Sequence, residues 1–241
     1  MIDIHTFRNK EEALAEARKV FSATLAEHKY RQVLLLLSGG SAFGVLSGIA
    51  TDALPANLMI GMLDDRWSSD LAANNFAQFT ETEFYALAKT AGATFVDSRV
   101  DVELESLPTY AARLDTALHT WRAANPTGRI VITQGIGPDG HTAGIMPYPE
   151  DPALFKTFFE ERGRWVVGYD AGEKTRYPLR ATVSLPFLRE EVDFSLVFVV
   201  GAEKKQTIEN MLAETGALAA TPARIVHEMK KVFIVTDVSF E

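Results

Sequence analysis

One of the five histidines stands apart from the rest. His5, His28, His119 and His227 fall in or near stretches that read as helix or terminus, where surface or packing roles are the default. His141 instead lies in Gly135-Ile136-Gly137-Pro138-Asp139-Gly140-His141-Thr142-Ala143, directly after an apolar run. Backbone punctuated by glycine can come close to a ligand, and an imidazole poised near neutral pH is the commonest general base. Asp139, two residues upstream, is spaced to orient the ring. The segment also matches G-x-G-x-x-G through Gly135, Gly137 and Gly140, but Pro147 and Pro149 interrupt the long crossover helix a dinucleotide site needs, so no nicotinamide cofactor is expected. A zinc site is not expected either, since His141 has no helical His partner and the chain has no cysteine.

Four other places carry polar groups at or near the ends of predicted strands. Ser38-Gly39-Gly40-Ser41 has adjacent glycines that turn the backbone tightly, followed by a stretch reading as helix from Ala42. Such a turn can cradle a phosphate, but taken alone these four residues read first as a plain strand-to-helix turn with Ser41 as N-cap. It lacks the Gly-Lys-Ser/Thr ending of a P-loop. Asp64-Asp65-Arg66 sets two acids beside a cation at a strand end, either lining an accessible cleft or forming a structural ion pair. Asn75 follows, at the start of a helix. Arg180 starts a predicted strand and Lys204 follows another; either can reach a cradled phosphate, although a solvated surface charge is the default for a single basic residue.

These groups need elements to position them. Leu14, Ala17, Phe21 and Leu25 recur at spacings of three and four, which predicts an amphipathic helix over Glu11 to Tyr30. Gln32 to Leu37 is a strand buried on both faces. Further strands are predicted at Leu58 to Leu63, Arg129 to Thr133, Trp165 to Tyr169, Ala181 to Leu185, Ser195 to Val200 and Lys231 to Thr236. Helices are predicted at Ala42 to Leu54, Asn75 to Thr90, Leu107 to Asn125, Glu203 to Glu214 and Ala223 to Met229. Alternating strand and helix predicts an α/β fold, a mostly parallel doubly wound sheet with helices on both faces. Ligands of such sheets sit at the carboxyl ends of the strands. With no repeat and no Gly/Ser-rich linker, residues 1–241 read as a single domain.

Composition narrows the partners. The formal charge of −8 argues against nucleic acid, while a local positive cluster can still take a small anion. Zero cysteines excludes disulfides, thiolate metal sites and cysteine nucleophiles. The apolar runs are strand-sized, so no membrane span is expected, and the mixed N-terminus shows no export signal. A cytoplasmic protein is expected; nothing in the sequence bears on its oligomeric state.

Taken in order, Ser38-Gly39-Gly40-Ser41, Asp64-Asp65-Arg66 with Asn75, the Gly135 to Ala143 loop, Arg180 within Arg-Ala-Thr-Val-Ser-Leu, and Gly201-Ala202-Glu203-Lys204 resemble the 6-phosphogluconolactonase family. That family shares a superfamily with glucosamine-6-phosphate deaminases, and the resemblance covers roughly residues 10 to 237. It implies a sugar-phosphate-binding domain that hydrolyses 6-phospho-D-glucono-1,5-lactone to 6-phosphogluconate, a step of the pentose phosphate pathway. Deaminases carry Asn-Glu-Pro a few residues after the loop histidine; here Ile145-Met146-Pro147 stands there, and methionine cannot shuttle protons. Asp65 occupies a place where the family usually has glutamate. The resemblance implies His141, Asp139 and Arg66 as the catalytic groups. It implies Ser38, Gly39, Gly40, Ser41, Asp64, Asp65, Asn75, Gly137, Gly140, Arg180 and Lys204 as substrate- or phosphate-binding positions. It implies no metal and no organic cofactor. An aminosugar-phosphate deaminase or isomerase and a non-catalytic sugar-phosphate sensor are the alternative readings. A sensor, however, has no need of a base.

Overall fold

The computed structural model describes residues 1–239. Its strands are β1 (Ile2–Thr6), β2 (Gln32–Leu37), β3 (Asn57–Met62), β4 (Asp64–Arg66), β5 (Thr94–Phe95), β6 (Arg129–Gln134), β7 (Val166–Asp170), β8 (Leu179–Val183), β9 (Phe194–Val199) and β10 (Val232–Thr236). Its α-helices are α1 (Lys10–Glu27), α2 (Asn75–Thr80), α3 (Glu83–Thr90), α4 (Leu107–Ala124), α5 (Pro152–Phe159), α6 (Leu185–Glu190) and α7 (Lys205–Leu212). Seven strands pair in parallel in the order β1-β10-β9-β6-β2-β3-β5. The other three form a small antiparallel sheet, β4-β8-β7.

Alternation along β2 explains the layers. Val33, Leu35 and Leu37 point into one core and Leu34 and Leu36 into the other, as a strand covered on both faces requires. The first core is closed by α1, whose Ala13, Ala17, Phe21 and Leu25 are buried at helical spacing. Asn9 caps that helix by accepting from the Glu12 amide, with Glu11 and Glu12 in the first turn. The second core is closed by α4 through Tyr110, Leu114, Leu118 and Trp121, and by the small sheet through Val166, Val167, Ala181 and Val183. The large and small sheets thus share one apolar core.

The fold departs from the sequence reading in several places. No α-helix covers Ala42 to Leu54: short 3-10 turns at Gly40–Leu46 and Thr51–Ala53 stand there, and Gly39, not Ser41, is the cap. Gly44, Gly48 and β-branched Val45 and Ile49 make that stretch a poor helix former. Thr82 breaks Asn75 to Thr90 in two by accepting from the Tyr85 amide and starting α3. Ala223 to Met229 is a 3-10 turn, Pro222–His227. The segments predicted as strands at Trp165 to Tyr169 and Ala181 to Leu185 belong to the small antiparallel sheet, which periodicity cannot distinguish from the parallel one. Three short strands go unpredicted, namely β1 and β5 at the edges of the large sheet and three-residue β4.

Candidate active site

The chain leaves β2 toward β3 on one side, while β6, on the other side of β2, leads to β9. Crossovers that diverge in this way open a crevice at the carboxyl ends of β2 and β6. Ser38 spans it: its amide donates to Thr133 Oγ1 (3.1 Å) and its hydroxyl accepts from the Gly135 amide (3.4 Å). The crevice is a cleft of about 280 Å³, lined by Ser38 to Ser41, Gly135 to Pro138 and His141, and by side chains of β4 and β8.

The Gly135 loop is folded on itself. Isolated bridges join Ile136 to Thr142 and Thr142 to Ile145, and the Gly137 amide donates to the His141 carbonyl (2.8 Å). Buried Thr142 ties the loop to the sheet: its hydroxyl donates to the Gly135 carbonyl (2.9 Å) and accepts from Gln134 (3.1 Å). A side chain on Gly137 would run into the His141 ring and the Asp139 carboxylate, so glycine there makes room for both. Asp139 Oδ1 lies 2.5 Å from His141 Nδ1 and 3.1 Å from the His141 amide nitrogen. Burial pushes the Asp139 carboxyl up, but the hydrogen bond and charge of His141 outweigh it and hold it below the usual range. With Nδ1 given to Asp139, Nε2 is the imidazole nitrogen left to exchange a proton. Lys204 Nζ donates to the Ile136 carbonyl (2.8 Å) and the Thr207 hydroxyl to the Pro138 carbonyl (2.6 Å), so the start of α7 braces the same loop. Burial lowers the Lys204 ammonium pKa, against Glu203 and Asp139.

β4 and β8 supply the charged side. Arg66 and Arg180 are cross-strand partners, as are Asp64 and Thr182, and alternation puts Asp64 and Arg66 on one face and Asp65 on the other. Two cations side by side repel. Asp64 offsets this by binding Arg180 Nη2 at 2.7 Å, both side chains being buried. Burial pushes the Asp64 carboxyl up, yet Arg180 and Arg66 more than offset it and hold it below the usual carboxylate range. Arg66 has neutral partners instead: Nη1 donates to the Ala73 carbonyl (2.8 Å) and to Asn75 Oδ1 (2.6 Å). The Nε of each arginine is buried without a partner among the described residues.

Most of the residues singled out in the sequence meet at this cleft: Ser38, Gly39, Gly40, Ser41, Asp64, Arg66, Asn75, Gly137, His141, Arg180 and Lys204 line it. Asp139 stands behind His141. Two others sit elsewhere. Asp65 is 1% exposed and turned away from the cleft, receiving hydrogen bonds from Ser98 and from the Asn75, Phe76 and Arg66 amides. It therefore shares no proton with Asp64. Gly140 packs against Thr221, and its carbonyl accepts from the Ala223 amide. Sequence reasoning missed Thr182 and Tyr169, whose hydroxyls bond the Ala143 and Gly144 carbonyls and hold the loop's end against the small sheet. It also missed Ser98. Gly144, directly after the loop motif, was the available signal, since a side chain there would collide with Asp64. Among the described residues no group of three or more His, Cys, Asp or Glu could hold a metal ion. No described helix is long and apolar enough to cross a membrane.

The class this arrangement defines is a doubly wound α/β domain with a histidine–aspartate pair and unpaired cations in a crevice at its strand ends. Residues 8–235 match the model of the glucosamine-6-phosphate isomerases/6-phosphogluconolactonase family, and the chain belongs to that family. Similar solved structures include 6-phosphogluconolactonase from Trypanosoma brucei (20% identity, TM-score 0.74, covering 98% of this chain and 96% of that one). Those from Plasmodium vivax (13%, 0.75, 99% and 91%) and Thermotoga maritima (19%, 0.70, 98% and 98%) are similar too. Comparison with curated protein sequences gives no match.

Proposed function

We propose that the chain hydrolyses a phosphorylated sugar δ-lactone, 6-phospho-D-glucono-1,5-lactone, to 6-phosphogluconate. The observation that carries this reading is the joint lining of one cleft by His141, backed by Asp139, and by the Ser38 to Ser41 turn with Lys204. A base and an anion cradle drawn from distant parts of the chain thus face the same cleft. Met146 adds to it: where a deaminase needs a proton-shuttling acid, this side chain is buried in the apolar core.

A lactone is an activated ester, so its hydrolysis needs a placed water, a base and a charge facing the carbonyl oxygen. His141 Nε2 takes a proton from water as its oxygen bonds to C1. Asp139 keeps the ring oriented and offsets the positive charge it gains. Arg66, which has no carboxylate partner among the described residues, faces the oxyanion. When the bond from C1 to the ring oxygen breaks, His141 returns the proton to that oxygen, leaving a carboxylic acid and a hydroxyl. The phosphate rests on Ser38, Gly39, Gly40 and Ser41, with Lys204 and the free N–H groups of Arg180 beside it. Asp64 serves this site indirectly, by holding Arg180.

The deciding experiment follows disappearance of enzymatically generated 6-phosphogluconolactone with and without the protein. Disappearance well above the spontaneous rate is expected; no acceleration, or ammonia release from glucosamine 6-phosphate, would overturn the reading.

A further inference from the structure

Asp65 does not line the cleft, yet it is the most heavily bonded carboxylate near it. Oδ1 accepts from the Asn75 amide (2.7 Å) and the Arg66 amide (2.8 Å), and Oδ2 from the Phe76 amide (3.0 Å) and the Ser98 hydroxyl (2.6 Å). What these bonds hold in place is Asn75. The Asn75 side chain accepts from Arg66 Nη1 at 2.6 Å through Oδ1 and donates to the Asp64 carbonyl at 2.8 Å through Nδ2. It also stands so close to Gly39 that any side chain at position 39 would collide with it.

We infer that Asp65 is a positioning residue for Arg66, acting through Asn75, which at the same time abuts the Gly39 turn. Helix capping alone does not account for Asp65. Asn74, the residue just before Asn75, already caps α2 by accepting from the Ala77 amide, and a buried carboxylate with only neutral donors is a costly device for closing two amides. Its geometry instead sets the backbone of Asn75, and so the point at which the Arg66 guanidinium rests. The reading of Arg66 as the group facing the oxyanion belongs to the proposed lactone hydrolysis, on which this inference rests. In that reaction a misplacement of about 1 Å costs on the order of 100-fold in turnover.

The test is a double-mutant cycle. Asp65→Asn keeps the shape but replaces acceptors with an amide NH₂, and is expected to lower kcat about 10- to 100-fold with KM within about threefold. In an Arg66→Ala background the same substitution should change kcat by less than about twofold, because the group it positions is gone. Ser98→Ala removes a single bond and leaves the fold intact; a loss of about 3- to 10-fold, again confined to the Arg66 background, is expected. Equal losses in both backgrounds, or wild-type kcat in Asp65→Asn, would overturn the inference. A crystal structure of Asp65→Asn decides the positioning without reference to turnover. The contact between Arg66 and Asn75 should be broken, and its retention at 2.6 Å would sink the inference even in a protein with no lactonase activity.

Discussion

The cleft has a loop side and a strand side, and they hold their functional groups in different ways. On the loop side, Ser38 to Ser41 and Gly135 to His141 are placed through their backbone groups: bridges within the loop, amides bonded to the Ser38 hydroxyl and the His141 carbonyl, carbonyls that accept from Thr142, Lys204 and Thr207, and a glycine that yields space to the imidazole. Its polar side chains are partly exposed, His141 at 35% and Asp139 at 41%. On the strand side, β4 and β8 present Asp64, Arg66 and Arg180, held by a buried ion pair and by Asn75. A loop held by its backbone can lose a side chain without losing shape, whereas a buried charge that loses its partner is stranded in low dielectric. The first kind of damage should show in turnover and the second in stability.

That contrast can be broken most sharply at His141. His141→Ala should lower kcat by about 100- to 10,000-fold while the unfolding midpoint stays near wild type. Steady-state kinetics beside chemical denaturation check both halves. Next comes Arg180→Leu, which leaves Asp64 buried and unpaired; a destabilisation of about 3–5 kcal/mol is expected from urea titration. A loss below about 1 kcal/mol would mean that charge does not hold the strand side.

The two acids of β4 sharpen the comparison through pH. Burial pushes Asp65 up to about 6, against Ser98 and three backbone amides that favour its ionised form. Between pH ~4 and 6 the folded chain therefore holds a proton that the unfolded chain has released, and stability falls as pH rises across that window. The fall attributable to Asp65 is of the order of 2–3 kcal/mol. Asp64 has the opposite sign: its carboxyl is held low, so its contribution is present above pH ~4 and is lost as pH drops further. Denaturant titrations across pH should show the fall between 4 and 6 in the wild type and its disappearance in Asp65→Asn. The smallest effect belongs to Lys204. Lys204→Ala should raise KM for the phosphorylated lactone about tenfold and leave unphosphorylated gluconolactone unaffected; equal losses on both would place Lys204 with the loop it braces and not with the phosphate.

Much of this was legible before any coordinates. The apolar runs of β2, β6, β9 and β10 gave themselves away because strands buried on both faces need continuous hydrophobicity, and the residues following β2, β6 and β9 carried the loops that line the cleft. Asp64 and Asp65 read as an equivalent pair, and only the strand alternation of β4 separated them, one to Arg180 and one to Asn75 and Ser98. β4 is three residues long, too short for any periodic pattern to register.

By itself, then, the sequence determined the alternating α/β order, both buried faces of the large sheet, and the Gly135 to Ala143 loop with its histidine and aspartate. These are properties of short stretches, set by local hydrophobic period and by where glycine permits close approach. Tertiary structure alone decided that Arg180 is neutralised while Arg66 is not, that Asp65 faces inward, and that Thr182 and Tyr169 hold the end of the loop. Each of these depends on which distant strands lie side by side. Pairing partners more than 100 residues apart, such as Asp64 and Arg180, are chosen by how the two sheets pack on a shared core, and no local pattern encodes that.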